Sequence, residues 1–113
     1  MSTPVPDISP LDTYHAAEDV LLLDVREDDE WAAGHAPGAA HMALSRLDPS
    51  TLNRATSIIA ICLSGNRSGK AAARLAEAGF TIWNMTGGMN EWQKLGLPVQ
   101  TDDASPGSIA RAS

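Results

Sequence analysis

The sequence predicts an α/β domain in which a parallel sheet is covered by helices on both faces. Three apolar segments of strand length, residues 20–25, 57–61 and 80–85, alternate with segments of helical character. Strands separated by helices are typical of parallel sheets whose connecting helices pack on both faces. The chain has 113 residues, of which 43% are hydrophobic, so one compact domain with a modest core is expected.

The first strand and the helix after it follow from local patterns. Residues 20–25 are apolar except for Asp24, as expected for a strand covered on both faces. Residues 28–33 predict a short helix, because they begin with three acidic residues, which suit the positive N-terminal end of a helix. Gly34 is placed to end that helix.

The second strand and the second helix enclose a short loop. Residues 57–61 are rich in β-branched side chains, and this strand ends at Cys62. A small-residue loop over residues 63–66 precedes an alanine-rich helix over residues 67–78, which Gly79 is placed to terminate. The predicted packing face of this helix consists of Ala72, Leu75, Ala76 and Gly79.

The last predicted elements are a strand over residues 80–85, a turn at Gly87 and Gly88, and a helix. The apolar residues expected on that helix are Met89, Trp92 and Leu95.

Both ends of the chain have the composition of tails. Residues 1–6 carry two prolines, and residues 101–113 are small, polar and aperiodic. We therefore predict flexible tails over residues 1–6 and 100–113, and one folded domain over residues 7–99.

The charge and hydropathy of the chain bound its partners. Fourteen acidic and eight basic residues give a formal charge of −6, which disfavours nucleic acid as a partner. An anionic substrate would have to be attracted locally. No apolar run approaches the roughly 18 to 20 residues that span a bilayer, so no membrane association is predicted. The first ten residues lack the basic and apolar regions of a signal peptide, so we expect a cytoplasmic location.

Cys62 is the only cysteine, which excludes an internal disulfide and a zinc site built from several cysteines. It follows a predicted central strand and directly precedes the loop before a helix. Ligands of parallel α/β sheets bind at the carboxyl ends of the strands. Cys62 is therefore a candidate nucleophile, and the alternative is a small buried core residue before an ordinary turn.

The residues after Cys62 are suited to stabilising a thiolate. Gly65 permits a tight loop whose N–H groups turn inward, and the following helix adds a partial positive charge at its N-terminus. Ser64 and Ser68 are possible hydroxyl donors, and Arg67 supplies a formal positive charge. We therefore predict that the pKa of Cys62 lies below that of free cysteine.

An ordered series of short motifs covers about 75 residues and resembles the rhodanese family. In chain order the motifs are Asp24-Val25-Arg26, Glu30-Trp31, Gly34-His35-Ala36-Pro37-Gly38-Ala39, Cys62-Leu63-Ser64-Gly65-Asn66-Arg67-Ser68, Ala73-Arg74-Leu75, Gly79-Phe80, Gly87-Gly88-Met89, Trp92 and Leu97-Pro98-Val99.

The resemblance implies a three-layer domain around a five-stranded parallel sheet. It also implies a sulfurtransferase that moves sulfane sulfur from a donor such as thiosulfate to a thiophilic acceptor. Cys62 would be the catalytic nucleophile and would carry the sulfur as a persulfide. The active-site loop implied by the resemblance consists of Leu63, Ser64, Gly65, Asn66, Arg67 and Ser68.

Within this loop, backbone N–H groups would cradle the persulfide and Arg67 would help to hold anionic donors. The implied partners are a small sulfur-donor anion or persulfide, and an acceptor that is a thiol or a protein cysteine. No cofactor and no metal are implied.

Loop length distinguishes related activities. Four residues separate Cys62 from Arg67, whereas the related phosphatases and arsenate reductases have five, which form a wider pocket for a tetrahedral anion. A second departure is Leu63, where many active members of the family carry a charged or aromatic residue. Leu63 would suit a less polar donor or a protein persulfide. The alternative function is a rhodanese-like interaction module with low turnover.

Several other residues are given structural roles. We predict that Arg26 pairs with an acidic residue such as Glu30, and that His35 is hydrogen-bonded within its turn. The spacing of His35, His41 and Cys62 does not support a metal site. Lys70 is either a solvent-facing helix residue or a charge of the pocket. The tryptophans Trp31, Trp83 and Trp92 are expected in the core or at its edge.

Overall fold

The computed structural model describes residues 4–109. In chain order, its elements are β1 (Asp7–Ile8), α1 (Pro10–Ala16), β2 (Leu21–Asp24), α2 (Asp28–Ala33), β3 (Ala40–His41), two 3-10 turns (Leu44–Arg46 and Pro49–Thr51), β4 (Ile58–Ile61), α3 (Asn66–Glu77), β5 (Ile82–Met85) and α4 (Gly88–Lys94).

The sheet has five strands in the order β1-β5-β4-β2-β3, and all neighbouring strands are parallel. The central strand β4 pairs with β2 and β5, and all four of its residues are buried. Because the strands run in one direction, their carboxyl ends lie at one edge of the sheet, and Cys62 follows β4 at that edge. The predicted α/β fold with a five-stranded parallel sheet is confirmed.

The sheet separates two apolar clusters, because successive side chains of a strand point to opposite faces. On one face, Ile58 and Ala60 of β4 pack against Ala72 and Leu75 of α3. Cys62 belongs to this same cluster. The cluster on the other face joins the sheet to α4 and consists of Leu22, Ala36, Ile59, Ile61, Met85, Met89 and Trp92.

The structure also contains elements that the hydropathy pattern did not predict. β1 and β3 have two residues each, which is too short for a periodicity to be seen. The helix α1 begins after Ser9, whose hydroxyl oxygen accepts a hydrogen bond from the backbone N–H of Asp12. Leu95 was predicted on the last helix, but it follows α4 and is 51% exposed.

Contacts with the domain continue beyond the predicted boundary at residue 99. The backbone groups of His35 and Gln100 exchange two hydrogen bonds, of 2.9 and 3.0 Å. The N–H of Ser108 donates to the carbonyl of Ala33 at 2.9 Å. We call residues 100–108 the C-terminal segment. This pairing is made mainly by backbone groups, which composition does not reveal, and the carboxylate of Asp102 adds a side-chain contact by accepting a hydrogen bond from Nε1 of Trp31 at 3.2 Å. Part of the predicted tail therefore lies against the domain.

At the N-terminal side, the carbonyl of Pro6 accepts a hydrogen bond from the backbone N–H of Asn84. Residues 1–3 and 110–113 of the predicted tails lie outside the described residues. Over residues 4–109, no helix combines the length and the apolar composition that a bilayer crossing requires.

We predict that Gly34→Ala displaces the C-terminal segment. A Cβ atom at residue 34 would lie 2.5 Å from the carbonyl oxygen and 2.8 Å from the backbone nitrogen of Ser108. Because backbone atoms cannot move aside cheaply, the substitution should lower the free energy of unfolding by about 1–3 kcal/mol. Thermal unfolding and hydrogen exchange at Ser108 would measure both effects. Ala32→Ser, at an exposed position near the end of α2, is the control. An exchange rate at Ser108 that matches the unsubstituted protein would contradict the prediction.

Candidate active site

Cys62 lies at the carboxyl edge of the sheet and has no exposed surface. Its Sγ atom accepts a hydrogen bond from the backbone N–H of Gly65 at 3.1 Å. The hydroxyl oxygen of Ser68 lies 3.3 Å from the same sulfur atom. On the side that faces the loop, the sulfur of Cys62 therefore contacts hydrogen-bond donors and not only apolar groups.

The loop turns tightly because Gly65 has a φ of +102°. Residues with a side chain rarely adopt this conformation, and here it allows the N–H of Gly65 to point back at Cys62. Gly65 is also the N-cap residue of α3, so the partial positive charge of that helix terminus faces the loop. The N–H of Gly65, at the start of α3, therefore has the orientation that the predicted nest of backbone N–H groups requires.

The surroundings of Cys62 act in opposite directions on its pKa. Burial is the largest single influence and raises the pKa. Hydrogen bonds from the Ser68 hydroxyl and from the backbone N–H groups of Ser68, Gly65 and Ser64 lower it, and together they outweigh burial. The pKa of the Cys62 thiol consequently lies below its ordinary value, in agreement with the sequence-based prediction.

The Ser68 hydroxyl has one hydrogen and two acceptors. Its oxygen lies 2.6 Å from Oδ1 of Asn84 and 3.3 Å from Sγ of Cys62. Nδ2 of Asn84 donates to the carbonyl of Gly65 at 3.1 Å, which fixes the orientation of the amide. Asn84 thus supports the loop and holds Ser68 close to the sulfur.

Sequence reasoning did not identify Asn84 as a site residue. It lies in β5, the strand next to β4, among mostly apolar residues. A polar amide within an otherwise apolar strand next to the cysteine strand was the signal that could have revealed it.

The N-terminus of α4 holds the backbone of the cysteine loop from the other side. The N–H of Met89 donates to the carbonyl of Cys62 at 2.8 Å, and the N–H of Asn90 donates to the carbonyl of Leu63 at 3.0 Å. A Cβ atom at Gly88 would lie 2.5 Å from the carbonyl oxygen of Cys62. The second glycine of the predicted turn is therefore required for this close approach.

Arg67 is paired with Glu30 of α2. Its Nη1 and Nη2 atoms lie 2.5 and 2.9 Å from the two carboxylate oxygens of Glu30. The hydrogen bond from Arg67 is the main cause that lowers the pKa of Glu30, against the effect of burial. Glu30 was predicted to pair with a different arginine, so its contact with the loop was missed.

Arg26 pairs with an acidic residue, as predicted, but the suggested partner Glu30 is wrong. Arg26 instead binds Asp24, with its Nε atom 3.0 Å from Oδ1 and its Nη2 atom 2.9 Å from Oδ2. Residues two apart along an extended segment point the same way, which brings these two side chains together. Nη2 also donates to the carbonyl of Gly34 at 2.7 Å, so Arg26 braces the turn after α2.

The remaining loop residues line the outside of the site. Leu63 is partly buried, whereas Ser64 and Asn66 are exposed. Lys70 is also exposed, as the solvent-facing alternative predicted.

Two of the three histidines, His35 and His41, lie elsewhere, at the ring of Trp31. His35 stacks on this ring at a centroid distance of 3.5 Å, and its Nδ1 lies 2.8 Å from the carbonyl oxygen of Trp31. His41 stacks at 4.9 Å. The predicted hydrogen bonding of His35 within its turn is confirmed. Trp92 is buried in the core and Trp83 is partly buried against it, whereas Trp31 is partly buried beside the rings of His35 and His41.

We predict that Ser68→Ala raises the pKa of Cys62. The variant lacks a donor to the charged sulfur, so the thiolate fraction near neutral pH should fall about tenfold. The rate of alkylation by iodoacetamide, measured from about pH 5 to about pH 10, reports this change because only the thiolate reacts. Ser64→Ala is the matched control, since Ser64 contributes only its backbone N–H. The prediction fails if both variants and the unsubstituted protein have the same pH profile.

Comparison with known proteins agrees with this geometry. The family model of the rhodanese-like domain matches residues 9–95. The uncharacterized protein slr1261 of Synechocystis is 40% identical over 95 residues, which cover 81% of this chain and 53% of that protein. The putative sulfurtransferase YtwF of Bacillus subtilis is 39% identical, covering 69% of this chain and 78% of that one. A sulfurtransferase of Allochromatium vinosum is 36% identical, covering 73% and 79%.

The chain therefore spans about half of the Synechocystis protein and more than three quarters of the other two. Among solved structures, a rhodanese-related protein from Thermoplasma volcanium is 31% identical with a TM-score of 0.79, covering 83% of this chain and 96% of that one. The family match spans most of the chain, and both the relatives and the fold agree with it: the chain belongs to the rhodanese-like domain family.

Proposed function

We propose that this chain is a sulfurtransferase that carries sulfane sulfur as a persulfide on Cys62. The observation that carries the proposal is the set of N–H and O–H donors around Sγ of Cys62, which lowers the pKa of a thiol without exposed surface. A thiolate is the form of cysteine that attacks sulfur. The names of the relatives from Bacillus subtilis and Allochromatium vinosum support the same class of reaction.

The reaction would proceed in two displacements. In the first, the Cys62 thiolate attacks the outer sulfur of thiosulfate. The new Sγ–S bond forms as the S–S bond of the donor breaks, and sulfite leaves with the electron pair. In the second, an acceptor nucleophile attacks the outer sulfur of the persulfide, and Cys62 returns to the thiolate. The chain has no second cysteine, so the acceptor is external: a small thiol or a cysteine of another protein.

In this proposal, the groups of the loop have different roles. The N–H groups from Leu63 to Ser68 would cradle the persulfide anion, and the Ser68 hydroxyl would follow the charge as it moves from Sγ to the outer sulfur. The short spacing between Cys62 and Arg67 favours a single sulfur atom over a tetrahedral phosphate. A reducing compartment such as the cytoplasm would keep Cys62 free to accept sulfur.

A second candidate function is an interaction module with low turnover. It is favoured by apolar side chains at the surface of the layer formed by α1 and α4. Leu11, Tyr14 and Leu95 are 49%, 43% and 51% exposed. Tyr14 also lines a cavity of about 370 Å³ that includes Trp92 but no residue of the cysteine loop.

We predict that incubation with thiosulfate adds one sulfur atom to the protein. Intact-mass spectrometry should show a gain of about 32 Da, which a reducing thiol removes. Cys62→Ser is the control and should show no gain. If neither thiosulfate nor glutathione persulfide produces the adduct, the sulfurtransferase proposal fails and the interaction module takes its place.

A further inference from the structure

We propose that Glu30 determines the charge of the donor that the site accepts, because it neutralises Arg67 beside the cysteine loop. The site would then disfavour a dianion such as thiosulfate and favour sulfane donors with a single negative charge. This inference rests on the proposed sulfurtransferase function and specifies its substrate class.

The guanidinium of Arg67 and the carboxylate of Glu30 form a bidentate ion pair. Nη1 and Nη2 of Arg67 lie 2.5 and 2.9 Å from Oε1 and Oε2 of Glu30. The Glu30 side chain is 4% exposed, whereas that of Arg67 is 25% exposed. A carboxylate held at this distance cancels most of the field that Arg67 would otherwise direct at an incoming anion.

Glu30 is held in this position by its own helix. Its Oε1 atom also accepts a hydrogen bond from the backbone N–H of Glu27 at 3.0 Å, as part of the capping box that starts α2. The far end of α2 is fixed as well, because Nη2 of Arg26 binds the carbonyl of Gly34. An anionic donor that recruits Arg67 would therefore have to leave a buried carboxylate without its partner, which is costly.

Within residues 4–109, the other charges near the loop do not replace the one that is cancelled. Glu27 is exposed and acts electrostatically on Arg67 together with Glu30. Lys70 is exposed on α3, and Leu63, next to Cys62, is apolar. The positive potential that remains comes from backbone N–H groups and the start of α3, which amount to about half an elementary charge. That is enough to stabilise one thiolate, but it is weak against the repulsion between a thiolate and a dianion.

Two donors of the same chemistry isolate the effect of charge. Thiosulfate carries two negative charges, and methanethiosulfonate replaces one of its charged oxygens with a methyl group. Each transfers its outer sulfur to the Cys62 thiolate as the donor S–S bond breaks, and the leaving groups are sulfite and methanesulfinate. Cyanide as acceptor removes the sulfur as thiocyanate and restores the thiolate.

The experiment compares kcat/KM for the two donors in the unsubstituted protein and in Glu30→Gln. The glutamine retains an oxygen for Arg67 and Glu27 but removes the negative charge. We expect the ratio of kcat/KM for thiosulfate to that for methanethiosulfonate to rise about fivefold to tenfold. The rise should come from a lower KM for thiosulfate. The increase should shrink as salt is added. Comparing ratios cancels the intrinsic reactivity of the donors.

Glu27→Gln is the matched control, since it removes an exposed carboxylate of the same turn that does not touch Arg67. It should change the ratio by less than about twofold. If Glu30→Gln fails to fold, Arg67→Gln tests the same point in the opposite direction, because an unpaired Glu30 should penalise thiosulfate more than methanethiosulfonate.

The outcomes separate the two proposals. Turnover of both donors with a ratio that Glu30→Gln leaves unchanged, or lowers, would overturn the role of Glu30 and leave the sulfurtransferase function standing. The absence of turnover and of a persulfide adduct with either donor in the unsubstituted protein would overturn the proposed function itself.

Discussion

Burial of the Cys62 sulfur opposes its ionisation, and the loop after β4 has to offset that cost within a few residues. This requirement accounts for much of the local structure. Backbone N–H groups can point at the sulfur only if the chain reverses immediately after the strand, which the positive φ of Gly65 permits. The reversal also places the start of α3 over the same atom. A single strand-loop-helix unit thus provides the proposed nucleophile and the groups that favour its thiolate form.

Contacts from other elements hold this strand-loop-helix unit in place. The carbonyls of Cys62 and Leu63 are bound by the first N–H groups of α4, so they point away from the sulfur while the loop N–H groups point toward it. The amide of Asn84 supports the loop from β5, and Glu30 binds Arg67 from α2. Elements from both sides of the sheet therefore converge on one loop. This explains why the site requires the complete domain and not only the motif around the cysteine.

The sequence was sufficient to predict those parts of the site that lie close together along the chain. The buried run that forms β4, the cysteine after it and the glycine of the loop lie within a few residues of one another, and each leaves a compositional trace. Asn84 and the Glu30–Arg67 pair were not predicted, because those contacts join residues 16 to 37 positions apart and depend on how elements pack. The pairing of the C-terminal segment with residues near Gly34 is made mainly by backbone groups, so side-chain patterns carry little record of it.

The two arginine–carboxylate pairs near α2 illustrate a division between stability and chemistry. Arg26 and Asp24 are both buried and form an ion pair with each other, and Arg26 also donates a hydrogen bond to the carbonyl of Gly34. Arg67 and Glu30 have the same chemistry, but Arg67 is partly exposed and lies close enough to Cys62 for their charges to interact. A neutralised cation at the edge of a nest can still orient the loop through its hydrogen bonds, while it contributes little net charge. The chain has a formal charge of −6 and the charge of Arg67 is neutralised, so the backbone N–H groups of the loop are left to attract anions. These groups act only at short range. The site is thereby suited to stabilising the sulfur that we propose it carries more than to attracting highly charged donors from a distance.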